Sequence, residues 1–143
     1  MHIHSKDTNV LYIPSEKILF AGDALEDTLT FIGEPGELST HLRNLELLNT
    51  WGIARIYPNH GDPNIIAEGG YKTTLIDATL DYIKKMRDNV NSDGYLESAL
   101  ESYVGESVEK AWVSVHEAYR AVHSLNLRAI QNHSQGRPVD LLP

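Results

Sequence analysis

The chain has 143 residues, with 12 basic against 20 acidic side chains, a formal charge of -8 at pH 7 and no cysteine. That length suits one domain with a real core, or two small structural units. The absence of cysteine excludes disulfides and thiolate metal sites, so any bound ion must take His, Asp, Glu or backbone oxygen. The acidic balance argues against a nucleic-acid ligand, which needs clustered Lys and Arg, and no segment approaches the roughly 18 apolar residues of a membrane span.

In chain order, the opening "MHIHSKDTN" is polar and has no apolar leader core, so a soluble, cytoplasmic protein is the default expectation. "NVLYIP" (9–14) and "KILFAGD" (17–23) are short apolar runs separated by the turn residues Pro14, Ser15, Glu16 and Lys17, and they read as a β-hairpin. Both are apolar on successive residues, which predicts cover on both faces of the sheet. Leu38, Leu42, Leu45 and Leu48 follow at spacings of four and three, and Gly52 stands where a cap would fall, so 38–50 reads as a helix. "IARIYP" (53–58) is a third strand, closed by Pro58 and the loop "NHGDP".

Beyond Gly69 and Gly70 the pattern turns helical. Ile76, Leu80, Ile83 and Val90 form a stripe within 71–90, and "NSDG" breaks it, with Asp93 as a candidate N-cap. Leu96, Leu100 and Tyr103 mark a short helix. Val108, Trp112, Val115, Tyr119 and Val122 mark a longer one starting near Ser107. The division expected is 1–70 for the sheet and first helix, 71–125 for a helical extension packed on it, and 126–143 for a flexible tail.

Residues able to carry chemistry gather where strands meet loops. His4 precedes the first strand, Asp23 ends the second, and His60 follows the third. Imidazole and carboxylate from strand ends on one sheet edge can converge on a single ion, a set that suits zinc, manganese or iron. Taken singly, an Asp after a strand caps a helix or forms a turn just as well. Residues 1–70 hold 10 acids and 4 bases, against 10 and 8 in the remainder, so the first half is the more attractive to cations. Lys6 and Asp7 read either as substrate contacts or as a plain turn. Glu26 and Asp27 read either as supports for ligating groups or as solvated charges. His2 and His41 read as ordinary residues, His41 partly exposed; His116 and His123, seven apart, share one face of the last helix beside Tyr119; and His133 lies in the tail.

"HSKDTNVLYIPSEKILFAGDAL", followed by "IYPNHGDP" with its His60 37 residues after Asp23, resembles the second half of the metallo-β-lactamase superfamily. By that resemblance His4 matches a histidine of the first metal, Asp23 the carboxylate bridging two metals, and His60 the last histidine of the second. It covers residues 4 to about 63. The implied fold is α/β, more closely α+β: half of an αββα sandwich with a short, mainly antiparallel sheet, helices and a C-terminal helical extension. The family's other half carries an "HxHxDH" motif, and this chain has none; His2 and His4 make an "HxH", but "SKD" follows.

The resemblance therefore implies a metal-dependent hydrolase unit with a partial site. Zinc, or alternatively manganese or iron, would be held by His4, Asp23 and His60, weakly or not at all in the isolated chain. No catalytic side chain beyond these ligands is nominated, and the substrate would be a small molecule. Half a sandwich also exposes a sheet face that needs cover. At about 25 cal/mol per Å², an open apolar face of several hundred Å² disfavours a free monomer, so a homodimer packed sheet to sheet is expected. The alternatives are that the C-terminal helices cover that face, that the chain is a piece of a longer product, or that it is a non-catalytic remnant serving as an oligomerisation or binding module.

Overall fold

The computed structural model describes residues 1–139, and the fold is α+β. Strands β1 (Leu11–Ile13), β2 (Ile18–Gly22) and β3 (Arg55–Pro58) form one sheet in the order β1-β2-β3. Helices α1 (Leu38–Asn49), α2 (Pro63–Ala67), α3 (Thr74–Asn89), α4 (Glu101–Glu109) and α5 (Tyr119–Ser134) complete the described chain.

The hairpin stands as expected. Glu16 and Lys17 donate their N–H groups to the carbonyls of Ile13 and Pro14, and β1 runs antiparallel to β2. β3 joins β2 in the parallel sense, with Leu19 opposite Ile56 and Phe20 opposite Tyr57, so the sheet is mixed. α1 is the crossover between β2 and β3. Its four predicted leucines are all buried.

Alternation along the strands separates two faces. Leu19, Ala21 and Ile56 are fully buried, in one apolar cluster with Leu42, Leu45 and Leu48 of α1 and Leu75, Ile76 and Ile83 of α3. The opposite face carries Leu11, Phe20 and Tyr57 in one cross-strand row, with Phe20 stacked on Tyr57 at 5.5 Å. Leu11 is 60% and Phe20 44% exposed. The successive apolar residues of both strands thus reflect one covered face and one open face.

The C-terminal part departs from the expected division. α3 falls where the stripe places it, but Asp93 does not cap a helix: Gly94, at φ 72, opens a 3-10 turn at Tyr95–Glu97. The long helix expected from Ser107 is two elements. α4 stops at Glu109, Ala111 adopts φ 54, and α5 begins only at Tyr119. The reason is competition for backbone groups. Ser114 N–H goes to Asp27 Oδ1 at 2.7 Å and His116 N–H to Thr28 Oγ1 at 3.0 Å, partners far away in sequence that a helix could not serve.

The tail expected from residue 126 is helical as far as Ser134; its end, 140–143, lies outside the described residues. Leu127, Ala129 and Ile130 are buried, and Asn126 is the hub of a buried network. Asn126 Oδ1 accepts from Ile32 N–H at 2.9 Å, and its amide donates to Thr30 O and to Tyr82 Oη, both at 3.1 Å. Tyr82 Oη lies 3.0 Å from His123 Nδ1, and His123 Nε2 lies 3.1 Å from Ser98 O. A carbonyl only accepts, so Nε2 carries the proton and Nδ1 takes the tyrosine hydroxyl. His123 is therefore a buried structural residue.

Burial holds the His123 pKa below its ordinary 6.5, the Ser98 bond and the field of Glu101 offsetting only part of that effect. A depressed folded-state pKa gives stability that is present above the unfolded value and lost as pH falls towards the folded one. The urea midpoint is accordingly expected to fall between about pH 7 and pH 5, and His123→Gln to flatten that slope. His4 and His41, also depressed by burial, add to that slope, and Glu26 and Asp27, raised by burial, oppose it.

Candidate functional site

Parallel pairing of β2 with β3 puts both carboxyl ends on one sheet edge, the position where open sheets containing parallel strands carry their ligands. β2 ends at Gly22 with Asp23 next; β3 ends at Pro58 with Asn59 and His60 next. Gly22 has φ +56, in the left-handed region that a side chain disfavours, and this turns the chain so that Asn59 N–H bonds Gly22 O at 3.0 Å. β1 runs the other way, so the segment preceding it returns to the same edge, bringing His4 with it.

At this edge His60 Nε2 lies 3.4 Å from Asp23 Oδ1, and Asn59 Nδ2 donates to the same oxygen at 3.1 Å. Asp23 and His60 side chains are 41% and 62% exposed. Thr30 Oγ1 donates to Asp23 O at 2.9 Å, and Asp27 N–H to His60 O at 3.2 Å, tying the 23–32 loop to the 59–62 loop. His4 sits in the field of both groups. Burial pushes its imidazole below the usual value, and the charges of Asp23 and Asp7 draw it partly back up. The His4 ring meets Phe31 edge-on at 5.6 Å, and His4 O accepts from Gly33 N–H at 3.0 Å. The structure brings Asp23 and His60 into direct contact, and the His4 donors do not join both of them within 4.8 Å.

Behind the edge stand the two acids that follow Asp23, and neither is a solvated charge. Glu26 and Asp27 are both buried. Tyr119 Oη donates to Glu26 Oε2 at 2.7 Å; burial raises the Glu26 pKa, and that bond offsets part of the rise. Asp27 accepts from Ser114 N–H and, at 2.9 Å, from Tyr71 Oη, while His116 Nε2 stands 3.6 Å away. Burial raises the Asp27 pKa too, against the pull of those two donors. Tyr71 Oη also accepts from Asp62 N–H at 2.6 Å. A Cβ at Gly61 would come within 2.8 Å of that hydroxyl, so the 59–62 loop needs glycine there. His116 faces Asp27 ahead of α5, and it does not share a helix face with His123.

Lys6 and Asp7 form the plain turn: Asp7 Oδ1 accepts from Ser5 Oγ at 2.9 Å, and Ser5 N–H donates to Thr8 Oγ1 at 3.2 Å. His41 is corrected outright. It is fully buried, with burial foremost and the His2 charge next lowering its pKa to about 4. Its burial was legible: His41 lies three residues after Leu38 and four before Leu45, on the same apolar stripe. The burial of Asp27 had no comparable signal, because its partners come from residues 71 and 114.

What the structure defines is an α+β protein with an open His-carboxylate edge over a buried acid-tyrosine layer. No family model matches the chain, and no curated protein matches it.

Proposed function

We propose that residues 4–63 are the metal-binding half of a metallo-β-lactamase-type hydrolase site, with Asp23 and His60 holding a zinc-class ion and His4, whose donors do not lie within 4.8 Å of both, joining them once its segment moves closer. The observation carrying this reading is the 3.4 Å separation of His60 Nε2 and Asp23 Oδ1 at the ends of two parallel strands. Ligand bonds of about 2.0–2.1 Å in tetrahedral geometry separate donors by about 3.3 Å, so this pair fits one ion without rearrangement. Their exposure leaves room for water and substrate. When bound, such an ion supplies Lewis acidity and lowers the pKa of a coordinated water.

The chain's own residues do the rest. Asn59 fixes the Asp23 carboxylate, the Thr30 hydroxyl pins its backbone, and the pinned 59–62 loop presents the His60 ring. The buried Glu26, held by Tyr119, packs behind the edge and fixes the loop that carries Asp23. A panel of ester, thioester, lactone and phosphodiester substrates tests the reading. Turnover lost on chelation, restored by zinc or manganese and abolished in His60→Ala supports it; turnover indifferent to chelation and to that substitution overturns it.

A second reading, an association module, is favoured by the open row of Leu11, Phe20 and Tyr57. A second copy packed sheet to sheet would cover it, and the two readings are compatible if the dimer supplies the wall that the single sheet lacks. Light scattering after size exclusion is expected to give a dimeric mass at micromolar concentration, and Phe20→Glu to give a monomer. A monomeric mass for the unaltered chain contradicts the association.

A further inference from the structure

A second group, built from other residues, carries chemistry that the proposed hydrolase does not use. His2 comes from the N-terminal segment, Glu34 from the residue before the 3-10 turn at Pro35–Glu37, and His41 from the first turn of α1. Among the described residues these are the only three His, Asp or Glu side chains whose donor atoms all lie within 4.8 Å of one another. His2 Nε2 bonds Glu34 Oε2, the His2 and His41 ring centroids are 5.3 Å apart, and Asn44 Nδ2 fixes the His2 backbone through its carbonyl at 3.0 Å.

The independent observation is His41 itself. It is fully buried, and neither ring nitrogen meets a hydrogen-bond partner among the described residues. An imidazole N–H and a lone pair both left unpaired inside the protein are costly. A structure retains such a group where something else satisfies it, and the nearest unmatched chemistry is the His2–Glu34 pair, whose side chains are 23% and 31% exposed.

We infer that His2, Glu34 and His41 form a second cation site, taking a zinc-class divalent ion with two imidazoles, one carboxylate and an open position towards solvent. Two neutral imidazoles with one carboxylate is a donor set zinc accepts. Donors within 4.8 Å reach the tetrahedral separation of about 3.3 Å by side-chain rotation of the two partly exposed members, while His41 stays fixed by its helix. The consequence is structural: the ion would clamp the N-terminal segment, which carries His4, onto α1.

The test uses the full chain with the strand-end edge silenced by Asp23→Ala and His60→Ala, both at exposed positions, so that failure of this site and failure of the hydrolase site are read separately. After chelation the protein is titrated with cobalt(II), followed by visible absorption and calorimetry. One equivalent bound with the intense absorption of tetrahedral cobalt, and at least about tenfold weaker binding in Glu34→Gln and in His2→Asn, is the expected result. Those two positions are partly exposed, so their substitution spares the fold, whereas His41 is fully buried. No binding at about 100 µM cobalt, or binding unchanged by Glu34→Gln, overturns the inference.

Discussion

Asn126→Ala is expected to destabilise the protein by about 4 kcal/mol, measured as a fall in the urea midpoint at unchanged slope. The amide makes three buried hydrogen bonds, to Ile32 N–H, Thr30 O and Tyr82 Oη, and each joins α5 to an element distant in sequence. Alanine leaves a buried donor, a buried carbonyl and a tyrosine hydroxyl without this partner, and each unpaired group costs about 1–3 kcal/mol, not fully additively. Two of those groups belong to the loop that carries Asp23, so protease sensitivity between residues 24 and 32 should rise with the loss of stability. Arg128→Ala, an exposed neighbour on the same helix, should change stability by less than about 0.5 kcal/mol.

The second large effect is expected at Asp27. Its carboxylate is buried beneath the candidate edge and takes Ser114 N–H at 2.7 Å and Tyr71 Oη at 2.9 Å. Asp27→Ala removes both acceptors at once and should cost about 3 kcal/mol. It should also free the 110–118 connection, visible as faster amide exchange at Ser114 and His116. Asp27→Asn is expected to recover part of the loss. Its oxygen still accepts from Ser114, its amide can donate to Tyr71 Oη, and it avoids the cost of ionising a carboxyl whose pKa burial has raised. Equal losses for the two variants would show that charge, and not hydrogen bonding, is what this position supplies.

The strands and first helix within residues 11–58 are legible in the sequence because their signals are local. Pro14 to Lys17 turn a hairpin, four leucines at helical spacing bury one side of α1, and Gly22 and Pro58 end strands where the chain must leave the sheet. The convergence of Asp23 and His60 follows from one topological fact, the parallel pairing of β2 and β3, which a helix between two strands makes natural. What escaped depends on distant partners. Val108, Trp112, Val115 and Tyr119 keep helical spacing, yet Asp27 and Thr28 take the backbone groups that one continuous helix would need. Asn126 and His123 read as polar until Tyr82 and Thr30 are beside them. Glu26 and Asp27 look like solvated charges in a list of residues and become the buried layer under the edge only once α5 and Tyr71 close over them.

Metal binding at the strand-end edge is tested most directly by zinc titration of chelator-treated protein carrying Glu34→Gln, which weakens the second site, with and without Asp23→Ala. One saturable equivalent in the single variant, lost or weakened at least about tenfold when Asp23 is also removed, is the predicted result. Binding that is identical with and without Asp23, or absent from both proteins, would contradict it.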